Sequence, residues 1–197
     1  MLNKLGLNII TMFGIGYIKF ASGTFASFAT CVIFFILFKF KIISLENINF
    51  LNVLFFLIAV FLIGIFLINN IKNNFNKKDA HEIVIDEFLG QSFVLLSLFF
   101  MPISLNSLDK NMLFYFLASF FLFRFFDIIK PFPINLIDKK LQNGFGIMFD
   151  DLVASFFSSI CIYIIIILYH FLYTKLINSS GVLTESHDRF PIFSFKR

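Results

Sequence analysis

Long apolar runs, some of about 20 residues and nearly free of charge, narrow the folds open to this chain more than any other feature, because that length crosses a bilayer as a helix. Inside lipid no water satisfies backbone N–H and C=O groups, so only helices and closed barrels are stable there. The runs are continuous rather than alternating, which disfavours a strand barrel. Spans are expected at 27–43, 50–68, 88–105, 112–129 and 152–173. The second and fifth are the clearest; Pro102 weakens the third, and Arg124 and Asp127 interrupt the fourth near its end. The fold class is therefore all-α: a polytopic helical membrane protein with about four to five hydrophobic helices.

Composition agrees. The chain is 59% hydrophobic and 14% charged, against about 45–50% and about 25% for a soluble domain. A soluble core of 197 residues has no room for that much apolar surface, and the length suits one domain. Residues 1–174 are read as a single membrane domain and 175–197 as a polar, disordered tail. Phe supplies 34 residues and Trp none, so a Phe here carries little meaning beyond "apolar". Cys31 and Cys161 sit inside apolar runs and are expected to pack as small hydrophobes. No cleavable signal peptide is expected, since Gly14, Gly16 and Lys19 break the first apolar stretch.

The cations lie between the spans, which makes them topology signals rather than a nucleic-acid footprint. With five spans, Lys4, Lys19, Lys72, Lys77, Lys78, Lys130, Lys139 and Lys140 share one face, while Lys39, Lys41 and Lys110 lie on the other. The positive-inside rule makes the richer face cytoplasmic. The same count sends the basic tail to the opposite face, which the rule does not favour, so the number of crossings is left open.

Four polar clusters stand out: Gly23-Thr24-Phe25-Ala26-Ser27, Asp86-Glu87-Phe88-Leu89-Gly90-Gln91, the stretch from Arg124 to Pro133, and the stretch from Gly144 to Asp151. Each has an ordinary explanation. An isolated Asp at a helix start is an N-cap, Lys130 before Pro131 is a snorkelling cation, the glycines are turn residues, and Thr24 or Ser27 caps the first span. Together they say more. Arg124 and Asp127, three apart, share a helix face at membrane depth, where ionisable groups mark function. Asp86, Glu87, Asp127, Asp150 and Asp151 fall at the ends of three spans on one inferred face. Converging carboxylates repel unless a cation sits among them. Mg²⁺ takes such hard oxygens and often bridges to phosphate, with Arg124 and Lys130 as donors to phosphate oxygens. The implied chemistry is metal-assisted attack of water on a phosphoryl group. Asp86 and Glu87, adjacent on a helix, are expected to point about 100° apart, which leaves one of them behind the other. Asp79, His81, Glu82 and Asp138 lie near the clusters but are less specific, and His170 is expected at the membrane interface.

Other phosphatase signatures are missing: no Cys has an Arg six positions on, and no D-x-D-x-[TV], P-S-G-H or D-G-x-x-A-R run occurs. The order G-T-x-x-S, I-V-x-D-E-x-x-G, F-R-x-x-D-x-x-K-P-x-P and G-x-G-I-M-x-D-D, at Gly23–Ser27, Ile83–Gly90, Phe123–Pro133 and Gly144–Asp151, resembles the phosphatidylglycerophosphatase A family. The resemblance runs from about residue 12 to 173. It implies hydrolysis of phosphatidylglycerophosphate to phosphatidylglycerol and phosphate with Mg²⁺, at the cytoplasmic leaflet of a bacterial inner membrane. It makes the five carboxylates metal ligands or bases, Arg124 and Lys130 phosphate binders, and Thr24 a polar contact to substrate or metal. Glu87 or Asp151 would orient the attacking water. Ser22 and Ala26 depart from a P-G-T-x-G-S version of the first block, and Phe132 stands where Trp is usual. The rival reading is a small helical transporter or ion-coupled channel with intramembrane carboxylates. It leaves the Lys-Pro-Phe-Pro run unexplained, and no internal repeat is found. An inactive scaffold is a further alternative.

Overall fold

The structure is a computed structural model and describes residues 2–40, 42, 49–71, 81–100, 105–141 and 143–179. Asp79, Pro102, Lys72, Lys77, Lys78 and the tail from 180 lie outside them, as does the side chain of His170. Seven α-helices follow one another: α1 Leu2–Ile10, α2 Ser22–Lys39, α3 Phe50–Ile71, α4 Ile85–Ser97, α5 Leu105–Ile129, α6 Ile134–Lys140 and α7 Gly144–Ser179. Single 3₁₀ turns at Ile15–Tyr17 and Leu98–Phe100 complete the described elements, and no strand occurs among the described residues.

Among the described residues four helices are long and apolar enough to cross a membrane: Ser22–Lys39, Phe50–Ile71, Met112–Ile129 and Gly144–Tyr169. They overlap the expected spans at 27–43, 50–68, 112–129 and 152–173. The span expected at 88–105 is not among these four, and its residues 101–104 lie outside the described ones. α4 itself has 13 residues, about 20 Å at 1.5 Å per residue, and with the 3₁₀ turn Leu98–Phe100 it carries the chain from one pole of the bundle to the other.

α4 packs against α2, α3, α5 and α7 and is the hub of the bundle. Its Leu89, Gly90, Gln91, Ser92, Val94 and Leu95 are buried. A helix wrapped by protein needs neither full span length nor an apolar perimeter. At its far end Phe99 stacks on Phe38 of α2 at 4.1 Å, and Phe100 meets Phe50 of α3 edge-on at 5.5 Å. That end therefore lies at the pole where α2 finishes and α3 begins. The start of α4 lies at the opposite pole with the starts of α2 and α7.

Burial here is inverted relative to a soluble protein. α3 has the highest mean hydropathy of the four long helices, 3.0, yet only 11% of that stretch is buried. It is a lipid-facing helix. The faces turned inward carry small and polar residues instead, as helix packing in lipid favours. On α2 these are Ser22, Gly23, Ala26, Ser27 and Thr30. Ser27 and Thr30 satisfy their hydroxyls on the carbonyls of Gly23 and Ala26, at 2.9 and 2.8 Å. Gly90 of α4 lets the Phe123 ring of α5 lie against the helix backbone; a Cβ there would sit 2.5 Å from the ring. Cys31 and Cys161 are free thiols, as expected.

Candidate active site

One pole of the bundle holds a pocket of about 710 Å³, lined by helix ends and the loops that join them. The start of α2 supplies Ser22 and Gly23, the first turn of α4 Asp86 and Glu87, and the end of α5 Arg124 and Asp127. Lys130 follows α5, α6 gives Asp138 and Lys139, and the second turn of α7 gives Asp150 and Asp151.

Local sequence explains each placement. α5 stops at Lys130, whose φ of 45° is left-handed, a C-terminal position that usually holds glycine. Pro131 cannot continue the helix. The left-handed step accompanies a Lys130 Nζ that lies 2.6 Å from Asp150 Oδ2 and 2.8 Å from Asp138 Oδ1. Pro131 to Pro133 turn the chain into α6, which brings Asp138 back. At the start of α7 the Asn143 Oδ1 accepts from Gly146 N at 2.9 Å, so Asn143 is the cap. Asp150 and Asp151 lie too deep in α7 to cap it, and they are buried. A Cβ on Gly146 would collide with the Leu141 carbonyl, so glycine is what lets the preceding loop lie against the helix. Asp86 accepts from its neighbour, Glu87 N, at 3.1 Å, and both acids face the positive end of the α4 dipole.

The five carboxylates sort into two classes. Asp86, Glu87 and Asp151 each bring an oxygen within 4.8 Å of the others. Asp86 and Glu87, adjacent in the first turn of α4, thus each bring an oxygen to the same group as Asp151. The other two hold cations. Asp127 Oδ2 lies 2.6 Å from Arg124 Nη1, one turn back on α5, and Asp150 holds Lys130. Glu87 Oε1 stands 4.0 Å from the same Arg124 nitrogen.

Several buried polar atoms have no hydrogen-bond partner among the described residues: Glu87 Oε2, Asp150 Oδ1, Asp151 Oδ2 and Arg124 Nε. Arg124 Nη1 is close to Asp127 but at an angle unsuited to a hydrogen bond. Burial, reinforced by the Glu87 charge, pushes the Asp86 carboxyl well above the usual carboxylate range, and burial pushes Glu87 up to about 7. Crowded, partnerless carboxylate oxygens suit a hard divalent cation, which would relieve both the repulsion and the orphaned lone pairs. Partnerless guanidinium donors alongside suit an oxyanion.

Thr24 is not among the lining residues; its neighbour Gly23 is, with a Cα so close to Glu87 that a Cβ would overlap the carboxylate. Asp138, His81, Lys19 and Lys139 are on the walls. Of these only Asp138 and His81 lay near the sequence clusters, and nothing in their spacing set them above other loop residues. Glu82 lies behind the site, with its backbone against Gly16.

The phosphatidylglycerophosphatase A family profile matches residues 8–166. The chain belongs to that family. Among curated relatives, it is 46% identical over 87 residues to phosphatidylglycerophosphatase A of Haemophilus influenzae, covering 44% of this chain and 47% of the relative. To the enzyme of that name from Escherichia coli it is 38% identical over 87 residues, 44% and 45% of the two chains. A putative phosphatidylinositol-3-phosphatase of Bacteroides thetaiotaomicron is 32% identical over 85 residues, 43% and 48%. The matched stretch is thus about half the length of each curated relative. No solved structure matches. Family membership weighs against the transporter and gives the converging acids a chemical context.

Proposed function

We propose that the chain is a Mg²⁺-dependent phosphatase that hydrolyses phosphatidylglycerophosphate to phosphatidylglycerol and phosphate. The observation that carries the reading is the meeting of Asp86, Glu87 and Asp151 within 4.8 Å, beside Arg124 and Lys130. The family profile and the names of its relatives supply the lipid. Asp86 and Asp151, with Glu87 alongside, would hold Mg²⁺, which when bound supplies charge neutralisation and polarisation of the phosphoryl oxygens.

The residues themselves do the rest. Asp127 fixes Arg124 so that its free N–H groups face the pocket, where they bind the terminal phosphate. Asp150 and Asp138 hold Lys130 from two sides and present a second cation to the same group. Glu87, with one oxygen unpartnered, orients the attacking water and takes its proton. The P–O bond to the glycerol breaks as the water oxygen bonds to phosphorus, and the departing oxygen takes up a proton.

The face of the membrane follows from charge. Lys4, Lys19, Lys130, Lys139 and Lys140 belong to segments at the site pole, and Lys39 ends α2 at the other. The positive-inside rule supports a site open to the cytoplasm in a bacterial inner membrane, with the acyl chains left in the bilayer. The test is phosphate release from phosphatidylglycerophosphate by purified protein, with Mg²⁺ and with excess EDTA, beside Asp151→Asn. Release that needs Mg²⁺ and is lost in the variant supports reaction and site together. Folded protein that releases none from any phosphorylated lipid refutes the reading.

A further inference from the structure

Resting on the phosphatase reading above, we propose that Lys19 is a specificity residue that binds the second, internal phosphate of the lipid, the diester that is not hydrolysed. Phosphatidylglycerophosphate carries two phosphates: a terminal monoester that reacts and a diester that joins the glycerol headgroup to the diacylglycerol. The two cations beside the carboxylate cluster, Arg124 paired with Asp127 and Lys130 with Asp150 and Asp138, serve the monoester in that reading. Lys19 lines the same pocket, is exposed, and makes no ion pair with the described residues.

The segment that carries Lys19 is held firmly. Its start is tied by Val84 N, which donates to Ile10 O at 2.9 Å, and by Thr11 Oγ1, which donates to Leu7 O at 2.7 Å and accepts from Gly14 N at 3.2 Å. Gly16 abuts the Glu82 backbone, where a Cβ would fall 2.8 Å from the carbonyl carbon. Ser22 Oγ donates to His81 O at 2.6 Å and fixes the end. Met12, Phe13 and Ala21 take φ values of 46°, 55° and 55°, which L residues adopt only where the surroundings demand it.

Its chemistry matches the headgroup layer. Phe13 is 88% exposed and Phe20 83%, with Tyr17 and Ile18 also outward. Exposed apolar side chains beside a lysine, with Tyr17 among them, next to helices of spanning length, suit the level where lipid meets water. That is also the level of a diester attached to diacylglycerol. Lys139, the other lining lysine without an ion pair among the described residues, has the carboxylate of Asp138 as its chain neighbour, which disfavours a further anion there.

Two products separate the two subsites: inorganic phosphate occupies the monoester site, and phosphatidylglycerol keeps only the diester. Hydrolysis of phosphatidylglycerophosphate in mixed micelles is measured for wild type, Lys19→Ala, Lys19→Arg and Lys139→Ala, with each product as inhibitor. A charged hydrogen bond is worth roughly ten- to hundredfold in affinity. Lys19→Ala is expected to raise KM by that factor, with the effect concentrated in KM rather than kcat. The inhibition constant of phosphatidylglycerol rises alongside it, that of inorganic phosphate moves less than about twofold, and Lys19→Arg recovers most of the loss. An unchanged KM, an equal rise for both products, an Arg variant as poor as the Ala one, or a loss in Lys139→Ala instead overturns the assignment. A wild-type protein that hydrolyses no phosphorylated lipid removes the phosphatase reading and this assignment with it; an active wild type with unmoved variants removes this assignment alone.

Discussion

Gly23→Ala tests the geometry of the carboxylate cluster with a single methyl group. Gly23 lies in the first turn of α2, where alanine alone favours the helix by up to about 1 kcal/mol. The new Cβ would overlap Glu87 Oε1, lie 2.9 Å from Glu87 Cδ and 3.2 Å from Arg124 Nη1, where ordinary contact begins at 3.4 Å. The helix backbone is fixed by its own ladder, so the Glu87 carboxylate must retreat, by roughly an ångström. A displacement of that size at a reacting centre costs about a hundredfold in rate, or about 2.7 kcal/mol of transition-state stabilisation. The expected result is a protein with native helix content and melting temperature within a few degrees of wild type, but kcat/KM down about a hundredfold and a higher Mg²⁺ requirement. Glu87→Asp, with a shorter side chain, gives the carboxylate room. The double variant should therefore lose much less than the product of the two single losses, a coupling of about 1 kcal/mol or more. Activity of Gly23→Ala within threefold of wild type, or strict additivity in the cycle, refutes the idea that Gly23 leaves space for Glu87.

Removing Mg²⁺ should lower stability as well as rate: at 100 times its Kd a bound ion adds about 2.7 kcal/mol, or about 5–10 °C for a chain of this size. Melting with Mg²⁺ and with EDTA checks this, and Asp86→Asn should shrink the difference. The two partners of Lys130 should differ. Asp138→Ala removes the more exposed one and costs less than about fivefold in kcat/KM. Asp150→Ala leaves Lys130 without its buried partner and costs about 3–5 kcal/mol of stability; equal effects would deny the distinction. Gly146→Ala forces a Cβ into the Leu141 carbonyl and should destabilise the fold by about 1–3 kcal/mol, measured by thermal or detergent-driven unfolding.

The long spans were legible because run length and charge content suffice for them. Nor did the site need coordinates to suggest itself. Asp86, Glu87, Arg124, Asp127, Lys130, Asp150 and Asp151 all line one pocket, as charged residues at the ends of apolar helices must find one another or water. The division of labour among them was not legible. Spacing puts Asp127 one turn from Arg124, but only the fold shows that Asp150 answers Lys130 across 20 positions while Asp151, the next residue, turns to Asp86 and Glu87. Thr24, with its hydroxyl, is the residue of the first block that spacing singles out, while Gly23 beside it is the one on the pocket wall. What the pocket takes from that block is the space glycine leaves.

The third span shows where hydrophobicity stops informing. With 34 Phe residues, nearly every helix is apolar on every side, so an apolar face cannot mark the core as it does in water. The discriminating signal is the reverse one. Ala26, Ser27 and Thr30 on α2, Gly90, Gln91 and Ser92 on α4, Ser119 on α5, and Ala154, Ser155 and Ser158 on α7 are all buried. Phe55, Phe66, Phe121 and Ile128 face outward. In lipid, burying a large apolar side chain gains little over leaving it among acyl chains, whereas small residues allow close approach and polar ones need partners. α4 has Gly-Gln-Ser in succession and few residues to spare for lipid contact, so by this criterion it is the central helix. The same criterion explains why the site sits at its end: a helix touched by α2, α5 and α7 alike is one whose first turn the site-bearing ends of those three can reach.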